Sequence, residues 1–261
     1  MATKEIFRAE SSYQPIYVGE QKNVRFLRFG GEAAGWQGAL IVDRPERLYF
    51  PYQQAFSLYS AWLPDVRSFL SIGVGTGTSI NHVQRVHQDV KITGIEWDPV
   101  VIETARRYFG VSQDAIRLIE ADARIVLPTM RETFDMIFLD AYFRERTPKT
   151  FFSPVYQQVL ADHLRIGGLL VINVIARTMG LAAEPYRSLC AQLNALVGPV
   201  FILDLAPVPF TPHNVVLFCL KRPIQVPELR VIRKRARDTI RTHASFYAPW
   251  ARILPFLISR G

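Results

Sequence analysis

The stretch FLSIGVGTGTSINHVQ, residues 69–84, decides how this chain folds. An apolar run enters three alternating glycines, Gly73, Gly75 and Gly77, and leaves through Thr78 and Ser79 into an amphipathic segment. A strand ending at Ile72 and a helix beginning near Ser79 set backbone N–H groups at the mouth of a helix N-terminus, a place suited to a polar ligand. Glycine there keeps Cβ atoms from blocking close approach. The same spacing also makes a plain strand-to-helix turn, so the loop alone leaves both readings open. The third glycine stands two positions after the second rather than three, unlike a dinucleotide fingerprint. No G-K-[ST] follows, which excludes a Walker-type phosphate loop.

Downstream of Pro64, short apolar runs alternate with amphipathic segments: VRSFLSI, KITGIE, AIRLIE, FDMIFLD, GLLVINVI, PVFILDL and NVVLFCL are the strands. Helices between buried strands predict a mostly parallel sheet covered on both faces. The last two strands are joined by a short Pro-rich loop, which predicts an antiparallel ending. This is a Rossmann-like α/β plan of seven strands, the class I methyltransferase type. Upstream, YQPIYVGE, NVRFLRFGG, WQGALIVD and RLYF predict a small antiparallel β unit, and YQQAFSLYSAWL then has helical spacing. The expected division is an N-terminal β domain over 1–54, a nucleoside-binding domain over 55–225 and a basic helical tail over 226–261.

The 261 residues are 49% apolar, enough for one sizeable core and an appendage. No apolar run is long enough for a bilayer, and Lys4, Glu5, Arg8 and Glu10 give no signal-peptide pattern, so a cytoplasmic location is expected. Cys190 and Cys219 sit in apolar surroundings and the histidines are scattered, so neither disulfide nor metal chemistry is expected. The net charge of +8 is concentrated between Lys221 and Arg241. A helix there presents arginines on one side and Leu229, Ile232 and Ile240 on another. A solvated helix is the favoured reading over a nucleic-acid or anionic-surface contact through 227–241.

Three further strand ends supply acids. Glu96 closes KITGIE, where a carboxylate can accept from two ribose hydroxyls. Asp122 closes AIRLIEAD beside Ala123 and can receive the exocyclic amine of an adenine, or simply cap a helix. Asp140 closes FDMIFLD and can take a proton from a substrate, or cap the following loop.

These residues resemble the polyamine aminopropyltransferase family, the spermidine and spermine synthases, over about residues 11–221. SSYQPIYV is similar to the family's Y-Q-x-I segment, GWQGALIVDRPERLYFPYQQ to its G-x-x-Q strand and F-x-Y-Q element, GIEWDPVVI to its E-I-D-x-x-V-I stretch, EADAR to its D-[AG] contact and FDMIFLD to its D-V-I-I-x-D strand end. The resemblance implies decarboxylated S-adenosylmethionine, or S-adenosylmethionine itself, as co-substrate. It implies contacts to it from Gln14, Gln37, Gly73, Gly75, Thr76, Gly77, Glu96, Asp122 and Ala123. It further implies Asp140 as catalytic base, an amine acceptor met by Tyr52, Gln53, Phe143 and Phe210, no metal, and a homodimer.

The departures fall on one side of the site, where the amine ends of donor and acceptor would lie. Phe143 stands where the family has a second acid, Thr76 where its glycine loop has an Asp, and Phe210 or Thr211 where it has a tyrosine. A diamine would bring a second ammonium without its counter-ion. Aminopropyl transfer to an amine is therefore the leading expectation, with methyl transfer from S-adenosylmethionine on the same scaffold as the alternative.

Overall fold

The computed structural model describes residues 3–31, 34–112, 114–141, 149–205, 210–223, 225–242 and 252–254. Strands β1 (Lys4–Glu10), β2 (Pro15–Gln21), β3 (Val24–Phe29) and β4 (Trp36–Ile41) form an antiparallel sheet in sequence order. β1 was not foreseen, because charged residues crowd it and a register shift between Glu5 and Phe7 breaks the alternation, leaving the adjacent Ile6 and Phe7 both half-buried. RLYF, expected as a strand, supplies only an isolated bridge between Leu40 and Leu48. Ile16, Val18 and Leu27 on one face of this sheet pack against Val101 and Phe109, which belong to a helix of the second unit.

Pro51 opens helix α1 (Pro51–Phe56), where its missing N–H costs nothing, and a 3₁₀ turn continues it to Ala61. Strands β5 (Ser68–Ile72), β6 (Lys91–Glu96), β7 (Ile116–Glu120), β8 (Phe134–Leu139), β9 (Leu164–Ala176), β10 (Val200–Asp204) and β11 (His213–Leu220) then build the main sheet. Helices α2 (Thr78–Val86), α3 (Pro99–Phe109), α4 (Ala123–Val126), α5 (Pro154–Asp162) and α6 (Glu184–Leu196) lie between them. The strand order β10-β11-β9-β8-β5-β6-β7 is parallel from β9 to β7, and β11 runs antiparallel to both its neighbours. The seven expected strands are present in the expected mostly parallel sheet.

An eighth strand, which the expected helical tail did not include, follows the basic helix. After helix α7 (Val226–Thr242), β12 (Arg252–Leu254) pairs antiparallel with β10 at the sheet edge. So short a segment in a proline-broken stretch carries no period of its own, and only the waiting edge of β10 defines it.

Alternation along the central strands sorts the core into two layers. Leu70, Ile137, Leu139, Leu170 and Ile172 face α5 and α6, while Phe69, Met136, Phe138, Leu169 and Val171 face α1, α2 and α7. Ile232 and Ala236 of α7 are buried in the second layer, so this helix covers a sheet face. Among the described residues, no helix is long and apolar enough to cross a membrane, and no group of three His, Cys, Asp or Glu residues is arranged to hold a metal.

Candidate active site

All parallel strands end at the same rim, and the glycine loop lies at its centre. Gly73 has φ 85°, and its N–H donates to the carbonyl of Ile95 at 2.9 Å. Asp140 N–H donates to the carbonyl of Ile72, also at 2.9 Å, so β8 delivers Asp140 directly beside the loop. A methyl at Gly73 would run into the carbonyl oxygen of Asp140, and one at Gly77 into Val111. Those two glycines are therefore demanded by packing. Gly75 differs: at φ 53° it has nothing within 4 Å of where a Cβ would stand, and it lines a cavity.

That cavity measures about 950 Å³, in the upper range for small-molecule sites. Its walls include Gln14 and Gln37 from the small sheet, Tyr52 and Gln53 from α1, Gly73, Gly75 and Thr76, Glu96, Asp122, Ala123 and Asp140. Eleven of the fourteen expected site residues thus share one hollow. Gly77 lies behind the wall, and Phe143 lies outside the described residues. Phe210 is 59% exposed and not part of the wall, where Pro212 and Asn214 stand instead.

On the β6 side, Glu96 is fixed before any ligand arrives. Its Oε2 accepts from Val74 N–H at 3.0 Å, and its Oε1 from Trp97 N–H at 3.0 Å and Asp98 N–H at 3.2 Å. Burial pushes its carboxyl upward from the ordinary range, while these donors and Gly75 N–H pull it back. Asp122 is the N-cap of α4, accepting from Arg124 N–H at 2.9 Å, and its carboxylate is also clasped by the Arg124 guanidinium. That pairing holds Asp122 below the usual carboxylate range. Thr76 is buried beneath Gly38 of β4 and hydrogen-bonded to Thr78 at 2.8 Å between hydroxyls.

On the β8 side, burial pushes the carboxyl of Asp140 up to about 6, with a hydrogen bond from Asn173 acting in the opposite direction. Asn173 Nδ2 donates to Asp140 Oδ1 at 2.9 Å. The Tyr52 hydroxyl donates to the carbonyl of Gln37 at 3.2 Å, and burial followed by the nearby Asp140 charge holds its proton well beyond the usual tyrosine range. The pair therefore offers one titrating carboxylate beside a phenol that stays neutral.

Sequence reasoning passed over Asn173, Arg124, Trp97, Phe151 and Phe152, all on the cavity wall. Asn173 carried a signal: it is the single polar side chain inside GLLVINVIA. Arg124 carried one too, since it follows an expected helix cap by two positions. Trp97, just after β6, stacks on Tyr13 from the loop ahead of β2 with ring centroids 4.8 Å apart, a contact that no local pattern announces.

Residues 69–168 match a family described as a methyltransferase domain. A probable polyamine aminopropyl transferase of Bifidobacterium longum is 28% identical over 137 residues, 52% of this chain and 29% of that protein. Putrescine N-methyltransferase 2 of Nicotiana attenuata is 25% identical over 174 residues, 64% of this chain and 45% of that one. The chain thus spans less than half the length of each of these relatives. A probable spermidine synthase from Corynebacterium glutamicum superposes with a TM-score of 0.77 at 16% identity, covering 95% of this chain and 97% of that one, which establishes the shared fold. With its four-stranded sheet set before a methyltransferase-type sheet, the chain is similar in sequence to polyamine aminopropyltransferases and shares its fold with spermidine synthases.

Proposed function

We propose that this protein is a transferase that alkylates an amine from an adenosyl sulfonium, in the first instance moving an aminopropyl group from decarboxylated S-adenosylmethionine. The observation that carries the reading is Asp140: a buried carboxylate held near 6, joined through the Ile72 carbonyl to the glycine loop and sharing its cavity with Glu96. Glu96 is the ribose ligand, Gly75 lets the nucleoside close on the backbone, and Asp122 with Ala123 meets the adenine. Gln14 and Gln37 line the same half from the small sheet.

When bound, the donor supplies an electrophilic carbon on a positively charged sulfur, whose C–S electron pair stays with sulfur as the new C–N bond forms. Asp140 prepares the acceptor by taking one proton from its ammonium, which frees the nitrogen lone pair, and later releases that proton to water. An ordinary aspartate lies about six pH units below an alkylammonium, too far for effective transfer. Burial narrows that gap from both sides, raising the acid and disfavouring the ammonium. Asn173 holds Asp140 through Oδ1, which leaves Oδ2 for the incoming nitrogen, and Tyr52 nearby stays neutral. Holding acceptor and donor in line contributes much of the rate.

Incubation with decarboxylated S-adenosylmethionine and a panel of amines is expected to release methylthioadenosine; no release with any amine would refute aminopropyl transfer. Thr76 favours a second reading, methyl transfer from S-adenosylmethionine, because an acid at that position would repel the donor's carboxylate and a threonine does not. Calorimetry against the two nucleosides separates the readings: tighter binding of the carboxylated one supports methyl transfer. The putrescine N-methyltransferase similarity accords with an amine acceptor under either.

A further inference from the structure

We infer that the acceptor is a monoamine bearing an apolar tail, not a diamine; this rests on the transferase reading above. Among the described residues, three carboxylates line the cavity, and two of them are already engaged. Glu96 accepts from the backbone N–H groups of Val74, Trp97 and Asp98, and Asp122 is paired with Arg124. Both lie at the ends of β6 and β7. The half of the cavity formed by α1 and by the ends of β8, β9 and β11 holds one acid, Asp140. Its other polar groups are neutral: Tyr52, Gln53, Asn173 and Asn214.

Two of those neutral groups are also committed. The Tyr52 hydroxyl donates to Gln37 and receives Gln53 Nε2 at 3.4 Å, while Gln53 Oε1 accepts from Phe50 N–H at 3.2 Å. A second ammonium would lose its hydration against this wall without meeting a charge.

The way out of this half is apolar. Ile175, on the cavity wall at the end of β9, is 40% exposed, and Met179 and Leu181 just beyond it are 52% and 95% exposed. Phe210 lies beside the same segment, its ring 3.8 Å from where a Cβ on Gly180 would stand. Scattered exposed apolar side chains need no explanation, but Ile175 on the wall is followed within six residues by Met179 and Leu181, which flank the glycine that Phe210 approaches, a run suited to an aliphatic or aromatic chain. The single acid and the apolar lip together describe one ligand: an ammonium at Asp140 with a hydrocarbon body passing Ile175 towards Phe210.

The test is calorimetric titration of the full chain, saturated with methylthioadenosine, with butylamine, hexylamine, octylamine and 1,4-diaminobutane. Affinity is expected to rise with tail length, by roughly threefold per methylene that reaches the lip, and diaminobutane is expected to bind about tenfold or more weaker than butylamine. A flat response to length, or diaminobutane binding as well as butylamine, overturns the inference alone. Failure of methylthioadenosine to bind overturns the transferase reading and the inference with it. Ile175→Glu gives an independent check, because a carboxylate at that point should move the preference towards the diamine while methylthioadenosine affinity is retained. An unchanged preference in that variant contradicts the placement of the acceptor's far end.

Discussion

Asn173, near the C-terminal end of the long strand β9, donates its side-chain N–H to Oδ1 of Asp140 at 2.9 Å. Asn173 is 2% exposed, so the bond is shielded from water, and it opposes the upward push that burial exerts on the carboxyl. A hydrogen bond to a charged group is worth about 1.5–3 kcal/mol, or roughly one to two pH units. In Asn173→Ala the Asp140 carboxyl should therefore rise above 6. The acid limb of kcat/KM against pH is expected to move upward by about one unit, with activity at high pH less affected. A uniform loss of rate with an unmoved limb would show that Asn173 supports the fold and does not tune the base.

Asp140→Asn separates stability from activity. A carboxyl raised from 3.8 to about 6 in the folded state binds protons more tightly there than in the unfolded chain. Its stabilising contribution is complete below pH 3.8 and is lost as pH rises through 6, a difference of roughly 3 kcal/mol. The amide variant carries no such charge and can still accept from Asn173. It should melt higher than the native chain at pH 8, with the advantage vanishing near pH 4, while turnover falls by about a hundredfold or more. A variant less stable at pH 8 would contradict the burial of an ionised Asp140.

Much of this site was legible because its residues sit where periodic patterns stop. Ile72, Glu96, Asp122 and Asp140 each end or follow an apolar run, and a parallel sheet must bring such ends to one rim. What escaped notice depends on contacts far apart in the chain. Trp97 is unremarkable until the loop ahead of β2 brings Tyr13 over it. Phe210 was placed by motif similarity, but the chain turns at Pro212 into β11, so Asn214 reaches the wall and Phe210 stays outside. β1 and β12 were hidden for opposite reasons, one by charged residues on an exposed edge and the other by its brevity.

The glycine loop permits a discrimination within a single motif. Alanine at Gly73 meets the backbone carbonyl of Asp140, which cannot move without unpairing β8 from β5. Gly73→Ala should lower thermal stability by several kcal/mol and yield little folded protein. Gly75→Ala encounters no neighbour and carries only the cost of a left-handed backbone, about 1 kcal/mol. It should fold nearly normally yet bind methylthioadenosine at least tenfold more weakly, because its methyl occupies space the nucleoside needs. Equal melting temperatures for the two variants would remove the distinction between packing glycine and binding glycine.

The last test concerns α7, whose basic face invited a reading as a nucleic-acid arm. Its inner face is part of the core: Ile232 is 5% and Ala236 2% exposed, packed in the same layer as Trp62 and Phe218. Arg222, just ahead of the helix, pairs with Glu228 in its first turn. Trimming Ile232 to alanine opens a cavity at a site that the helix closes from one side, so a loss of about 2 kcal/mol is expected, seen as a lower urea midpoint with an unchanged slope. Arg233→Ala and Lys234→Ala, both on the exposed face, should leave that midpoint within about 0.5 kcal/mol of the native value. Were the reverse observed, with Ile232→Ala neutral, α7 would be a detachable arm, and its arginines would again need a partner outside the fold.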